Sequence, residues 1–394
     1  MFKHLFKLIW NKRKQNFLFL SEILVSFMVI FGVFSMLTYY YLNYIKPKGF
    51  EYNSVWSVSY SNPLQTKNND SLKTYYEYVR RTIKSLPEIE ELSFTSANFP
   101  YSGSIASTSF TFRGKKLGQI DNYEVEDDYA KVLGMQLIAG RWFNKEDAVA
   151  KDKSLVINTT LKQAMFGDET AVGKLVGADD EKEKWRVIGV VADVKADGDF
   201  RPTASGFYKR MDTSAFAWTG NMLIKVKPGA DAAFESRLNK LLARTIPNSN
   251  LEIRHMSDTR NAKNSDTVVP VIIFMTIAGF LIINVALGLF GVLWYNISQR
   301  RSEIGLRMAI GASKSSIAFQ LVSESVALAS LSVIVGVFFA IQFPLLSVFN
   351  IPPVVYVIAL LLSVLFIYLL VIFCSLYPGR QAGAIQPAIA LHEE

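Results

Sequence analysis

Arg300, Glu303 and Arg307 recur at i, i+3 and i+7, which places two guanidinium groups and a carboxylate on one face of a short helix. That pattern suits charged docking better than bond-making. Gly305 and Ala309 lie four apart on another face, where small side chains let a partner approach closely. Gly311-Ala312 stops the helix, and Ser313 is placed to cap the next one. A charged helix of this kind can receive a cytosolic protein. The simpler alternative is an interfacial loop whose arginines only set membrane orientation.

Residues spaced for catalysis are missing elsewhere. The string from Gly305 to Gly311 lacks the Gly-Lys-Ser/Thr ending that cradles phosphates. His4, His255 and His392 are scattered, and no run of acids has the spacing of an EF-hand loop. Asp127-Asp128 and Asp179-Asp180 read as solvated loop faces, and no serine stands in a nucleophile elbow. The sequence is therefore not read as an enzyme, and it predicts no cofactor or metal of its own. Two acids are out of place: Glu22 and Glu324 fall inside apolar runs, where an ionised group costs several kcal/mol at the bilayer centre. Both lie near one end of their runs, where a side chain can snorkel to the interface. A structural or interfacial role fits each, with a hydrogen bond across the helix bundle as the functional alternative.

The elements that must position these residues are four apolar runs, at 17–45, 268–297, 317–343 and 353–377. A helix rises about 1.5 Å per residue, so roughly 20 apolar residues cross the hydrocarbon core. All four pass. The fold class predicted is an α-helical membrane protein with four transmembrane helices and an α+β extracytoplasmic domain of two lobes inserted between helices 1 and 2. That domain is residues 46–267, the charged link is 298–316, and the tail is 378–394.

Charge gives the orientation. Lys3, Lys7, Lys12, Arg13 and Lys14 precede the first run without an acid, and Arg300, Arg301, Arg307 and Lys314 crowd the second link. Positive loops stay in the cytoplasm. The expectation is an inner (cytoplasmic) membrane protein with both termini cytoplasmic and the large domain periplasmic. The net charge of +8 is thus mostly topogenic and does not point to nucleic acid. The first run is too long for a signal peptide, and Tyr39–Tyr41, Asn43 and Tyr44 replace a cleavage site, so an uncleaved anchor is expected. Phe2, Leu5, Phe6 and Ile9 oppose Lys3 and Lys7, so residues 1–16 read as an amphipathic helix at the inner interface or as a plain basic tail. Cys374, the one cysteine, excludes any disulfide within the chain.

Within the insert, Ser54–Tyr60 alternates like a strand. Leu72, Tyr75, Val79, Ile83 and Leu86 keep helical rhythm until Pro87. Strands are predicted at 91–95, 105–112, 154–157, 185–194, 221–226 and 251–255, with Arg113–Lys116 as a turn. The 185–194 strand is apolar enough for burial on both faces. Asp231 caps a helix whose core stripe is Phe234, Leu238 and Leu241. The two ends should build one α/β lobe, and residues 114–215 a second.

These residues also carry a resemblance. The run Gln299-Arg300-Arg301-Ser302-Glu303-Ile304-Gly305-Leu306-Arg307-Met308-Ala309-Ile310-Gly311-Ala312-Ser313, then Gln320-Leu321-Val322-Ser323-Glu324, resembles the coupling segment of FtsX-like permeases. Gly134–Phe143, Val156-Ile157-Asn158, Phe166-Gly167, Val172-Gly173-Lys174 and Val187–Val191 are similar to the periplasmic core domain of MacB-type ABC transporters. The tail Pro378–Ala382, with Pro387 and Ala390-Leu391, fits too. The resemblance implies a half-permease that dimerises with an identical or related chain. It implies a cytosolic ABC ATPase dimer as partner, binding ATP and magnesium on that partner. It assigns Arg300, Arg301, Glu303, Ile304, Gly305, Arg307, Met308, Gly311 and Ala312 to ATPase coupling. Motion would then be transmitted to the outer domain, for export or extraction of a peptide, drug, toxin or lipoprotein, with a periplasmic adaptor or outer-membrane component as a further partner. MacB carries its ATPase on the same chain, and this sequence contains none. The competing readings are a membrane-anchored sensor or adaptor and a cell-division regulator like FtsX.

Overall fold

The computed structural model describes residues 13–61, 68–113, 115–177 and 184–383. Residues 1–12 of the amphipathic helix expected at 1–16, the tail beyond 383 and part of the Arg113–Lys116 turn fall outside them, while residues 13–16 already belong to the first long helix. The chain divides into two compact units, one of residues 1–42 with 268–394 and one of residues 43–267.

The membrane unit is built on long apolar helices. Helix α1 is Arg13–Tyr44. Among the described residues, four helices are long and apolar enough to cross a membrane. Residues Ile23, Phe27, Ile30 and Phe31 of α1 form its core with Leu289, Ala329, Val333, Tyr356, Ile367 and Val371. Most other large apolar side chains of these helices point outward, as expected where lipid replaces water.

Among the described residues, the outer unit is built on one mixed sheet of eleven strands. In chain order they are β1 (Val55–Ser59), β2 (Ile89–Thr95), β3 (Ser107–Phe112), β4 (Lys115–Val125), β5 (Leu137–Gly140), β6 (Lys153–Asn158), β7 (Leu175–Val176), β8 (Trp185–Val191), β9 (Gly206–Arg210), β10 (Asn221–Val226) and β11 (Glu252–His255). The order is β11-β1-β10-β2-β4-β9-β6-β8-β5, with β3 on β4 and β7 on β8. Strands from both ends of the insert lie side by side. Two helices cover that half, α2 (Asn69–Lys84) and, after the short α3 (Tyr129–Val132) and α4 (Thr159–Phe166), α5 (Ala232–Thr245). Their core stripes are Leu72, Tyr76, Val79 and Ile83, and Phe234, Leu238 and Leu242. Leu242, rather than Leu241, completes the second stripe, which keeps the i, i+4, i+8 face. Asp231 caps α5 by accepting from Phe234 N at 2.8 Å.

The middle strands β4, β9, β6, β8 and β5 make the other half, covered by α4. The halves do not close as separate sheets: β2 and β4 join through the single pair Thr95–Val125. A shared core that includes Val55, Val125, Tyr129, Val156, Tyr208 and Leu223 runs through the junction. Strand β8 is buried from Gly189 to Val191, while its start carries exposed Arg186. The expected two-faced burial therefore holds only for its second half, because Arg186 leaves the core to pair with Asp152.

The rest of the chain is α6 (Met256–Gln299), α7 (Arg301–Ala309), α8 (Lys314–Ala340), α9 (Gln342–Leu345) and α10 (Pro353–Ala382). Helix α6 starts where β11 ends, twelve residues before the apolar run at 268–297.

Candidate functional site

Helix α7 sits between two membrane helices, and side chains fix it there. Arg300 Nη1 donates to Glu324 Oε2 at 2.9 Å. The other oxygen of Glu324 accepts from Gln320 Nε2 at 3.0 Å. Gln320 Oε1 accepts from Arg307 Nη1 at 2.8 Å, and Arg307 Nη2 donates to Glu303 Oε1 at 2.6 Å. One continuous chain of bonds thus runs Arg300–Glu324–Gln320–Arg307–Glu303, tying both ends of α7 to α8. Glu324, the acid in the third apolar run, is the counter-ion of Arg300, and each of the two is about one-fifth exposed. Within an apolar run, such an ion pair offsets part of the cost of a lone carboxylate.

The predicted coupling residues divide by burial. Ile304 and Gly305 are buried, and Ile304 packs with Ile297, Ile317 and Ala382, with Met308 and Ala312 beside them. These residues seat α7. Arg301, Glu303, Arg307 and Gly311 are exposed. Gly311 has φ +103°, a left-handed turn that ends the helix, and Ser313 Oγ caps α8 by accepting from Ser316 N at 3.2 Å. Two residues not singled out from the sequence complete the face: Leu306 and Ile310, four apart, are 52% and 77% exposed. An outward apolar pair on an otherwise charged helix is a signal that helical-wheel burial, not residue type, reveals.

Glu22 has a different setting. Its carboxylate lies against Gly288 of α6, where a Cβ would come within 2.0 Å of Oε1. It lines an apolar cavity of 280 Å³ with Ser26, Leu281, Val285 and Leu370. Glu22 and Glu324 are therefore not brought into one site.

In the outer unit the resembling strings have structural reasons. Asn158 caps α4 by accepting from Leu161 N at 2.9 Å, accepts from Gly206 N at 3.0 Å and donates to Ala204 O at 2.7 Å, so one side chain fastens three elements. Gly140 and Gly189 face each other across β5 and β8. A Cβ on Gly140 would come within 2.2 Å of Ile188 O, and its φ of +74° also demands glycine. Arg141 donates to both oxygens of Asp147, at 2.7 and 2.8 Å, while Ser154 Oγ donates at 2.6 Å and Asn144 N at 2.8 Å. Burial works to raise the Asp147 carboxyl, but these four donors outweigh it and hold it down at about 2. Its ionised form therefore stabilises the fold above the ordinary carboxylate range and is lost as pH falls from about 4 toward 2. Asp147→Asn is expected to cost about 1–3 kcal/mol at neutral pH and to flatten the acid limb, measured by circular dichroism of the full chain as a function of pH.

A cleft of 630 Å³ opens near Tyr76, Arg80, Glu126, Asp127, Arg210 and Phe216. Arg80 pairs with Glu126, and Arg210 binds Asp127 through two bonds. These acids are committed to internal partners, not free for acid–base work. Among the described residues no group of three or more His, Cys, Asp or Glu could hold a metal.

Membrane-length helices, an α/β domain between the first and second of them, and a charged helix pinned between the second and third define a permease-type membrane protein. A family model, MacB-like periplasmic core domain, matches residues 24–241, and a second, FtsX-like permease C-terminal, matches residues 275–387. The chain belongs to this MacB/FtsX family of ABC transporter permeases. It is similar to the macrolide export ATP-binding/permease protein MacB of Bdellovibrio bacteriovorus, 26% identical over 282 residues that cover 68% of this chain and 43% of that protein. The corresponding MacB of Campylobacter jejuni is 23% identical over 326 residues, covering 79% and 49%. The chain spans less than half the length of these curated relatives. Among solved structures, the periplasmic region of MacB from Actinobacillus actinomycetemcomitans matches 53% of this chain and 92% of its own, at 17% identity and a TM-score of 0.37. The extracellular domain of the noncanonic ABC-type transporter YknZ matches 50% and 99%, at 13% identity and 0.35.

Proposed function

We propose that this chain supplies the permease part of an ABC transporter, and that α7 receives the motion of the transporter's ATPase. The observation that carries this is the braced helix. Its charged residues hold it to α8 and its buried residues seat it, which leaves Leu306 and Ile310 facing out from a rigid support. A sensor that only binds a ligand outside has no use for such a part. In this reading two permease chains, identical or related, engage an ATPase dimer that holds ATP and magnesium. The positive residues around α7 support a cytoplasmic position for it, with the α/β domain outside the inner membrane. ATP-driven tilting of the helices then moves the outer domain, which works on exported cargo directly or through a periplasmic adaptor.

The test is purification of the tagged full chain from its native host. An ATPase bearing a P-loop should co-purify, and the double change Glu303→Ala with Arg307→Ala should weaken that complex several-fold. An exposed i,i+4 pair contributes only about 0.3–0.5 kcal/mol, so most of the loss would come from freeing Gln320 and the helix orientation. A clean preparation with no ATPase sinks the proposal.

A further inference from the structure

Within the outer unit, α1 ends at Tyr44, and residues 45–54 contain no helix or strand before β1 begins at Val55. Helix α6, by contrast, follows β11 directly. One loop, Val194–Arg201, touches both helices. Lys195 is 1% exposed, and its ammonium donates to three backbone carbonyls: Asn43 at 2.5 Å, Asp199 at 2.7 Å and Arg201 at 3.1 Å. Asn43 lies in the last turn of α1, whose carbonyls lack helical partners and favour a cation. Phe200 stacks on Tyr44 with centroids 5.1 Å apart.

The same loop grips the first turns of α6. Asp199 is fully buried. Its Oδ1 accepts from Tyr101 OH at 2.9 Å, and its Oδ2 from Arg260 Nε at 2.9 Å and Asn264 Nδ2 at 3.2 Å. Its backbone N–H donates to Asn264 Oδ1 at 2.9 Å. Arg260 and Asn264 are four apart, hence on one face, and Lys263 adds a bond to Asp197 at 3.0 Å. Burial would raise the Asp199 carboxyl, but its three side-chain donors hold it below the usual range. Tyr101 has φ +62° though it is not glycine, a strained backbone that its neighbours must hold in place. The loop also holds the 45–54 link: Lys195 N donates to Lys48 O at 3.0 Å, and Phe50 packs beside Tyr101 with ring centroids 5.1 Å apart.

We propose that loop Val194–Arg201 is the joint that carries helix motion into the outer domain, with Lys195 holding the end of α1 and Asp199 the start of α6. The proposal rests on the permease reading above. Lys195 and Asp199 are positioning residues, so their test needs a readout that a merely local role would not move.

The experiment is hydrogen exchange on the full chain in lipid nanodiscs, comparing Asp199→Asn with the parent. Exchange should rise about tenfold or more at both 43–50 and 256–266, while β6 and β8 stay unchanged. A rise confined to 194–201 overturns the joint. Should Asp199→Asn fail to fold, Asn264→Leu removes two of the bonds at the α6 side and carries the same test. The second arm adds the co-purified ATPase and a non-hydrolysable ATP analogue. In the variant the ATPase should remain bound while the nucleotide-dependent change of exchange in β1 and β10 is lost. A retained nucleotide response also overturns the joint. A parent chain that brings down no ATPase refutes the permease reading, and the first arm still decides whether the loop ties the two helices.

Discussion

A chain carrying Leu306→Asp and Ile310→Asp is expected to lose its ATPase while keeping its own fold. Both side chains are more than half exposed, so the substitutions disturb little within the permease. In a complex they would be the apolar centre of the contact, where a few anchors supply most of the binding energy. Burying a leucine or isoleucine contributes about 1.5–3 kcal/mol. Replacing each with a carboxylate removes that and adds a charge to a desolvated surface. The complex should weaken by about a hundredfold or more, read as loss of ATPase on pull-down of the full chain or by titration in nanodiscs. Circular dichroism and thermal unfolding should stay near those of the parent. Arg300→Gln makes the contrasting control. It leaves Glu324 without its ion-pair partner at the membrane boundary, so it should lower stability more than it lowers affinity. If the apolar pair can be changed with the complex intact, α7 docks by another face.

The four spans were legible because hydrocarbon thickness sets a length that no other element imitates. Strand β10, at 221–226, and the Asp231 cap were legible because a short apolar run bounded by a Pro-Gly turn and a capping residue are local signals. The lobe boundary was not. Thr95 and Val125 are thirty residues apart, and nothing local says that their one pairing merges two half-sheets into one. The coupling residues were found by type and spacing, but their roles depend on which side of α7 meets the bundle. Ile304 and Met308 turn in, and Leu306 and Ile310 turn out, though all four are apolar. Glu324 likewise looked anomalous until folding brought Arg300 to it. Asp199 and Lys195 carried no sequence signal at all, since Asp and Lys in a glycine-containing loop ordinarily read as solvated.

Gly336→Leu should be the most damaging single change within the membrane unit. Helix α8 meets α1 along Ser332, Gly336 and Ala340, which recur every four residues. Small residues at that spacing let helix backbones approach in a bilayer, where packing replaces the hydrophobic effect. Ser332 Oγ donates to Leu20 O of α1 at 2.9 Å. A Cβ on Gly336 would come within 2.4 Å of Phe27 Cδ1 and 2.9 Å of Cε1. That ring is fully buried and lies nearly parallel to Phe31, with an interplanar angle of 7°, so it has nowhere to go. Overpacking usually costs about 1–3 kcal/mol, and a branched side chain against a confined ring belongs at or above the upper end. Thermal unfolding in detergent should fall by several degrees. Gly336→Ala should cost less. Pairing Gly336→Leu with Phe27→Ala should recover part of the loss, because the two residues share one space and their effects cannot add. The functional consequence follows from the same contact. Under the proposed coupling role, displacing α1 from α8 would keep movement received at α7, which is braced on α8, from reaching α1. The variant should then bind its ATPase at the parent affinity and still fail to move the outer domain. A variant that keeps both thermal stability and nucleotide-dependent exchange in the domain would show that α1 moves independently of α8.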